Sequence, residues 1–169
     1  MEINHLPKVS FEAPETDCCP PFEVGPWDEK EFVFKDKLFV KATVLEFMHI
    51  PLRMGTMVEN TWQKITEVDA KSPDEFVMLS YDPSPWLGEH YFSVTKEVPD
   101  TEMVKISGTF FTKVFEGPYH DAPKWIEEMN KYVESKGEKA QKVYFYYTTC
   151  PRCAKHYGKN YVVAFAQIN

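Results

Sequence analysis

The sequence predicts an α+β fold: an antiparallel sheet and two main helices, arranged as two pseudo-symmetric strand-helix-strand-strand repeats behind an extended N-terminal arm. Three observations carry this. Two apolar stripes recur at helical spacing, each flanked by strand-like segments. Those segments repeat in the same order at a nearly constant offset. The first 37 residues are rich in proline and lack any sustained period.

Pro7, Pro14, Pro20, Pro21 and Pro26 mark residues 1–37 as the arm. Trp27, Phe32, Phe34 and Leu38 are too apolar for a free tail, so the second half of the arm is expected to lie against the body, residues 38–169. Phe39 to Ile50 reads as the first strand, rich in β-branched and aromatic residues. A helix follows Pro51, with Met54, Val58, Trp62, Ile65 and Val68 on one face until Pro73. Phe76 to Tyr81 is the second strand, Asp82-Pro83-Ser84-Pro85 reads as loop, and Glu89 to Val98 is the third strand. Residues 38–99 make up repeat one.

Repeat two, residues 100–169, follows the same plan. Val104 to Glu116 is a strand that Gly117-Pro118 ends. Asp121 caps a helix with Pro123 in its first turn and Trp125, Ile126, Met129, Tyr132 and Val133 as its stripe, and Gly137 stops it. Val143 to Thr148 and Tyr161 to Ile168 are strands, with a cysteine-containing loop between them. Trp62 and Met129 lie 67 positions apart, as do Phe76 and Val143, and Tyr91 and Tyr161 lie 70 apart. Such an offset favours duplication. A sheet with one helix-covered face leaves its other face to the arm, the other copy or a ligand.

The chain has 169 residues, 43% hydrophobic, and a formal net charge of −7 with no basic block. An acidic surface repels a phosphate backbone, so nucleic acid is not an expected partner. No run is long and apolar enough to span a bilayer, and Met1-Glu2-Ile3-Asn4-His5 does not open like a signal peptide. A cytoplasmic protein without a membrane partner is expected. The oligomeric state is not legible.

Trp86 and Glu89, between the second and third strands, could offer a ligand a flat indole and a carboxylate. The carboxylate could balance a cation or, in an apolar surround, move a proton; Trp86 packing on the arm and Glu89 lying in solvent is the plainer reading. Tyr119, with Glu116 and His120 nearby, could hydrogen-bond a ligand or simply staple its turn. The strand Val143-Tyr144-Phe145-Tyr146-Tyr147 places Tyr144 and Tyr146 on one face. Those two rings and Tyr161 are candidate cleft walls, with core packing as the competing reading. His49, at the end of the first strand, reads as structural.

The cysteines fall in two pairs, Cys18-Cys19 and Cys150-Pro151-Arg152-Cys153. Only sixteen residues follow Cys153, too few for a thioredoxin-like redox fold. A structural zinc held by Cys18, Cys19, Cys150 and Cys153 requires the arm to fold back onto the loop, with His156 as a spare ligand; uncomplexed thiols are the other reading. No other cofactor is called for. Phosphate loops, G-x-S-x-G elbows and H-E-x-x-H helices are absent from the sequence.

The segment Ile106-Ser107-Gly108-Thr109-Phe110-Phe111-Thr112-Lys113-Val114-Phe115-Glu116-Gly117-Pro118-Tyr119-His120, followed by a helix with Trp125, resembles the GyrI-like family. A strand entering a Gly-Pro-Tyr turn and then a helix is that family's recurring phrase, and the duplicated plan over residues 38–169 fits it. The resemblance implies two halves enclosing a cleft for bulky, often cationic or aromatic small molecules, with aromatic walls and a carboxylate. Family members serve as ligand-sensing domains of regulators, as free-standing binding proteins, and as hydrolases of strained electrophiles. This chain shows no helix-turn-helix segment ahead of the repeat, and its arm and cysteine loop depart from the family pattern.

The leading expectation is therefore a free-standing binding protein for hydrophobic small molecules, cationic or not, in the cleft between the repeats. The alternative is a hydrolase of electrophilic small molecules with Glu89 or Glu116 as its acid/base. A second alternative is a protein-interaction module with a zinc loop. Catalysis would require a buried carboxylate with a raised pKa.

Overall fold

A computed structural model describes residues 2–11 and 19–169. Among these, the chain runs β1 (Glu31–Phe47), β2 (Ile50–Pro51), α1 (Met54–Glu67), β3 (Met78–Ser84), β4 (Leu87–Ser93), β5 (Glu102–Glu116), a single 3-10 turn (Tyr119–Asp121), α2 (Ala122–Ser135), β6 (Lys142–Tyr147), α3 (Pro151–Tyr157) and β7 (Tyr161–Gln167). The long strands form an antiparallel ring in the order β1-β4-β3-β6-β7-β5, and β5 pairs back onto β1. The result is a six-stranded barrel with helices on its outside. Where β3 meets β6 the ring is thin, joined in register only at Ser80 opposite Phe145.

Alternation along the strands sorts the side chains into three apolar groups. Phe34, Phe39, Leu79, Tyr91, Phe110, Tyr144 and Phe165 fill the barrel interior. Val40 and Phe92 face outward and meet Ile65 of α1. Phe115, Phe145, Val162 and Ala164 face outward and meet Trp125, Met129 and Val133 of α2. Each of the large buried rings stabilises the fold by roughly 1.5–3 kcal/mol through apolar burial.

The expected boundary between arm and body at residue 38 falls inside β1. A bulge between Phe34 and Lys37, with Asp36 at φ 48°, shifts the strand by one residue. Phe34 and Phe39 therefore both point into the barrel although they differ in parity. That irregularity hides the alternation on which strand assignment depends.

The first part of the arm also joins the sheet. Ile3 bridges Val33, Asn4 Nδ2 donates to the Lys35 carbonyl at 2.8 Å, and Val9 N–H donates to the Asp74 carbonyl at 2.8 Å. Trp27 is 2% exposed; its ring meets Tyr146, Phe165 and Phe32, and its carbonyl accepts from Thr112 Oγ1 at 2.6 Å. The arm thus contributes to the core instead of only covering it.

Two other expectations are corrected. Asp82 to Ser84, read as loop, continues β3, because a register shift after Tyr81 absorbs the extra residues and a tight turn enters β4. Part of the cysteine loop is helix: Pro151 occupies its first turn and Gly158, at φ 72°, ends it.

Candidate functional site

The row of side chains that crosses the thin seam on the barrel's outer face carries two buried polar groups, Ser80 and His90. The register aligns Phe145, Ser80, His90 and Ala42 across β6, β3, β4 and β1. Further along the same faces lie Asp82, Gly88 and Glu46, where alternation from Met78, Phe92 and Val40 would place apolar groups.

Glu46 is 6% exposed and His90 4%. The carboxyl of Glu46 is pushed up to about 7, first by burial and then by its hydrogen bond with Asp82 and the Asp82 charge. Asp82 Oδ2 also meets His49 Nδ1 at 3.2 Å at the solvent side. Burial holds His90 down at about 4, so its imidazole is neutral, and Nδ1 lies 2.7 Å from Ser80 Oγ. Among the described residues, Glu46 Oε2 and His90 Nε2 are buried with no hydrogen-bond partner. Both groups lie against Gly88. A Cβ there would collide with Glu46 Oε1 and sit 3.2 Å from His90 Nε2. The missing side chain thus lets the Glu46 carboxyl and the neutral His90 imidazole both close on the Gly88 backbone. Buried polar atoms without protein partners mark where a water or a substrate atom is held.

His49 belongs to the rim through an unusual turn. Met48 and His49, at φ 49° and 66°, form the two-residue connection between Phe47 and Ile50. Two positive φ values at such a turn ordinarily select Asn-Gly.

The nominated residues are distributed differently. Glu89 points into the barrel and pairs with Lys41 at 2.7 Å. Tyr144 is buried in the same interior, where the Lys142 ammonium lies 4.8 Å from its ring, 4.0 Å from that of Tyr81 and 5.9 Å from that of Tyr91. Burial lowers the Lys142 pKa, and burial together with Glu89 pushes Tyr91 up to about 12. Tyr146 packs on Trp27, and Tyr161 packs on Phe22. Tyr119 donates to the Thr149 carbonyl at 3.0 Å and sets its ring edge-on to Tyr147. Trp86 is 54% exposed and edge-on to Phe47, and Glu116 is exposed. The expected hollow between the halves is occupied by aromatic side chains, several contributed by the arm and by the bulged part of β1.

Three of the four nominated cysteines come together. The sulphurs of Cys19, Cys150 and Cys153 lie within 4.8 Å of one another. Cys18 lies outside the described residues. Glu46, His49 and Asp82 form a second group with donor atoms within 4.8 Å of one another.

Glu46, His90, Ser80 and Asp82 went unnominated. A signal was present: Val40, Ala42, Val44 and Glu46 share parity, so an acid continues an apolar face.

A family model described as Bacterial hydrolase matches residues 9–168. Among solved structures, a crystal structure of an uncharacterised conserved protein from Listeria innocua aligns with a TM-score of 0.61 at 13% identity, covering 84% of this chain and 92% of that one. No curated protein matches. Among the described residues, no helix is long and apolar enough to cross a membrane.

Proposed function

The chain belongs to the bacterial hydrolase family, and from that premise we infer that it hydrolyses a small, uncharged or cationic electrophile at the Glu46–His90 site. The observation that carries this reading is the buried carboxyl of Glu46, its pKa pushed up to about 7, packed against Gly88 beside the unpartnered Nε2 of His90. A base is most useful when its pKa lies near the working pH. As water oxygen adds to the electrophilic carbon, the Glu46 carboxylate takes its proton. The bond to the leaving oxygen then breaks, and the same carboxyl returns the proton to that oxygen. His90 Nε2 orients the water and Ser80 fixes the ring. Asp82 raises the pKa of Glu46, and its charge disfavours anionic substrates.

The test uses neutral esters and strained epoxides with the full chain. Hydrolysis is expected to rise with pH through about 7, and Glu46→Gln to lower kcat by about 10²–10⁴-fold, the usual reach of general acid–base catalysis. A variant that keeps the parent rate, or a parent that turns over neither class, overturns the reading.

A binding role has its own support in the interior. Tyr81, Tyr91 and Tyr144 surround the Lys142 ammonium opposite Glu89, an arrangement that suits a cation. On this reading Lys142 stands where a lipophilic cation would dock, and Lys142→Ala should create a thermal response to tetraphenylphosphonium that the parent lacks. Like-with-like pairing of β1 with β5 and of β3 with β6 supports descent from two copies of one unit, as the GyrI-like resemblance implies.

A further inference from the structure

The cysteine cluster lies outside the hydrolytic site and has a geometry of its own. Cys19 comes from the arm, Cys150 from the residue that precedes α3, and Cys153 from the helix itself. Their sulphurs lie within 4.8 Å of one another. Cys153 is fully buried and the other two are half-buried. The Cys150 N–H donates to Cys19 Sγ at 3.4 Å, and Tyr157 Oη donates to the Cys19 carbonyl at 2.8 Å. Outer contacts of this kind orient metal ligands.

We propose that Cys19, Cys150 and Cys153 bind one soft divalent ion of the zinc type, which clamps the arm to α3. Zn–S bonds of about 2.3 Å on a tetrahedron place sulphurs roughly 3.8 Å apart, so three sulphurs inside this radius need only a small inward movement. Each thiol gives its proton to solvent on ligation, and the fourth position stays open to water or another donor. Three sulphurs gathered within 4.8 Å of one another suit an ion better than a disulfide, which would draw two to about 2.05 Å and strand the third. The ion would hold the segment whose Phe22 packs on Trp27 and Tyr161. Its loop would also sit behind Thr149, the residue whose carbonyl Tyr119 engages. This role does not depend on hydrolysis.

The experiment titrates the reduced, metal-stripped full chain with zinc alone and with cobalt(II) alone. One equivalent per chain is expected, with near-ultraviolet thiolate-to-cobalt charge transfer, tetrahedral cobalt bands and a rise in Tm with zinc. Cys19→Ser is the decisive variant, because it leaves the Cys150/Cys153 pair intact while removing a ligand 131 positions away in sequence. It should weaken zinc affinity at least 100-fold and abolish the Tm response to chelator. Cys153→Ser should do the same; if that variant fails to fold, Cys19→Ser alone decides. Substoichiometric binding, parent-like affinity in Cys19→Ser, or a disulfide within the trio in protein kept reduced overturns the proposal.

Discussion

The two faces of the seam between β3 and β6 use the same strands to opposite ends. Inside, Tyr81, Tyr91 and Tyr144 close around the stem and ammonium of Lys142, and arm residues complete a filled core. Outside, a few residues away along each strand, Ser80, His90, Gly88 and Glu46 interrupt the apolar surface that the helices cover and leave buried polar atoms unpartnered. The aromatic side carries bulk, and the polar side carries chemistry. A tyrosine-rich strand is therefore a weaker pointer to a site than one acid placed where alternation calls for valine.

Trp27→Ala tests the inner half of this contrast most severely. Removing a fully packed indole is expected to cost about 3–5 kcal/mol in chemical denaturation, while the fraction that remains folded keeps its turnover. A loss below ~1 kcal/mol would mean that the arm is not part of the core. Gly88→Ala addresses the outer half. The added methyl displaces the Glu46 carboxyl and crowds His90, so hydrolysis should fall at least tenfold with a stability cost of about 1–3 kcal/mol. Unchanged turnover would separate the packing against Gly88 from the chemistry.

A subtler effect comes from pH. The folded-state pKa of Glu46, about 7, lies above the ordinary 4.5, so between those values the folded protein holds the proton more tightly than the unfolded chain. The stabilisation linked to Glu46 is present below about 4.5 and is lost as pH rises to about 7. Glu46→Gln removes that loss. At pH 8 it should be more stable than the parent by about 3 kcal/mol, or roughly 6–12 °C in Tm, and at pH 4 the two should coincide. Parallel curves across that range would show that the carboxyl is not perturbed. Tyr144→Phe is expected to have the smallest effect, under ~1 kcal/mol with turnover within twofold, because the ring rather than the hydroxyl packs the interior. A large loss of turnover would move the chemistry to the inner face.

Much of the architecture was legible because local periodicity reported it. The stripes of α1 and α2 are visible at Ile65 and at Trp125, Met129 and Val133, which are the residues those helices bury. The start of β1 was not legible, because the bulge at Asp36 breaks the period. α3 is too short to display one. The site was harder still. Glu46, Ser80 and His90 lie on three strands and become neighbours only through register, which no single segment reveals. The cysteines were easier, since two close pairs at opposite ends of a chain already suggest one locus, and three of them do meet.

The position of β7 has a consequence for how the protein is made. It follows both β5 and β6 in sequence, yet it lies between them and pairs with both along its length. During synthesis those two strands must wait with open edges until β7 leaves the ribosome, and open edges recruit other chains. The nascent chain is therefore exposed to aggregation until β7 emerges, and a premature stop shortly upstream of Tyr161 would yield an insoluble product rather than a weakly active one.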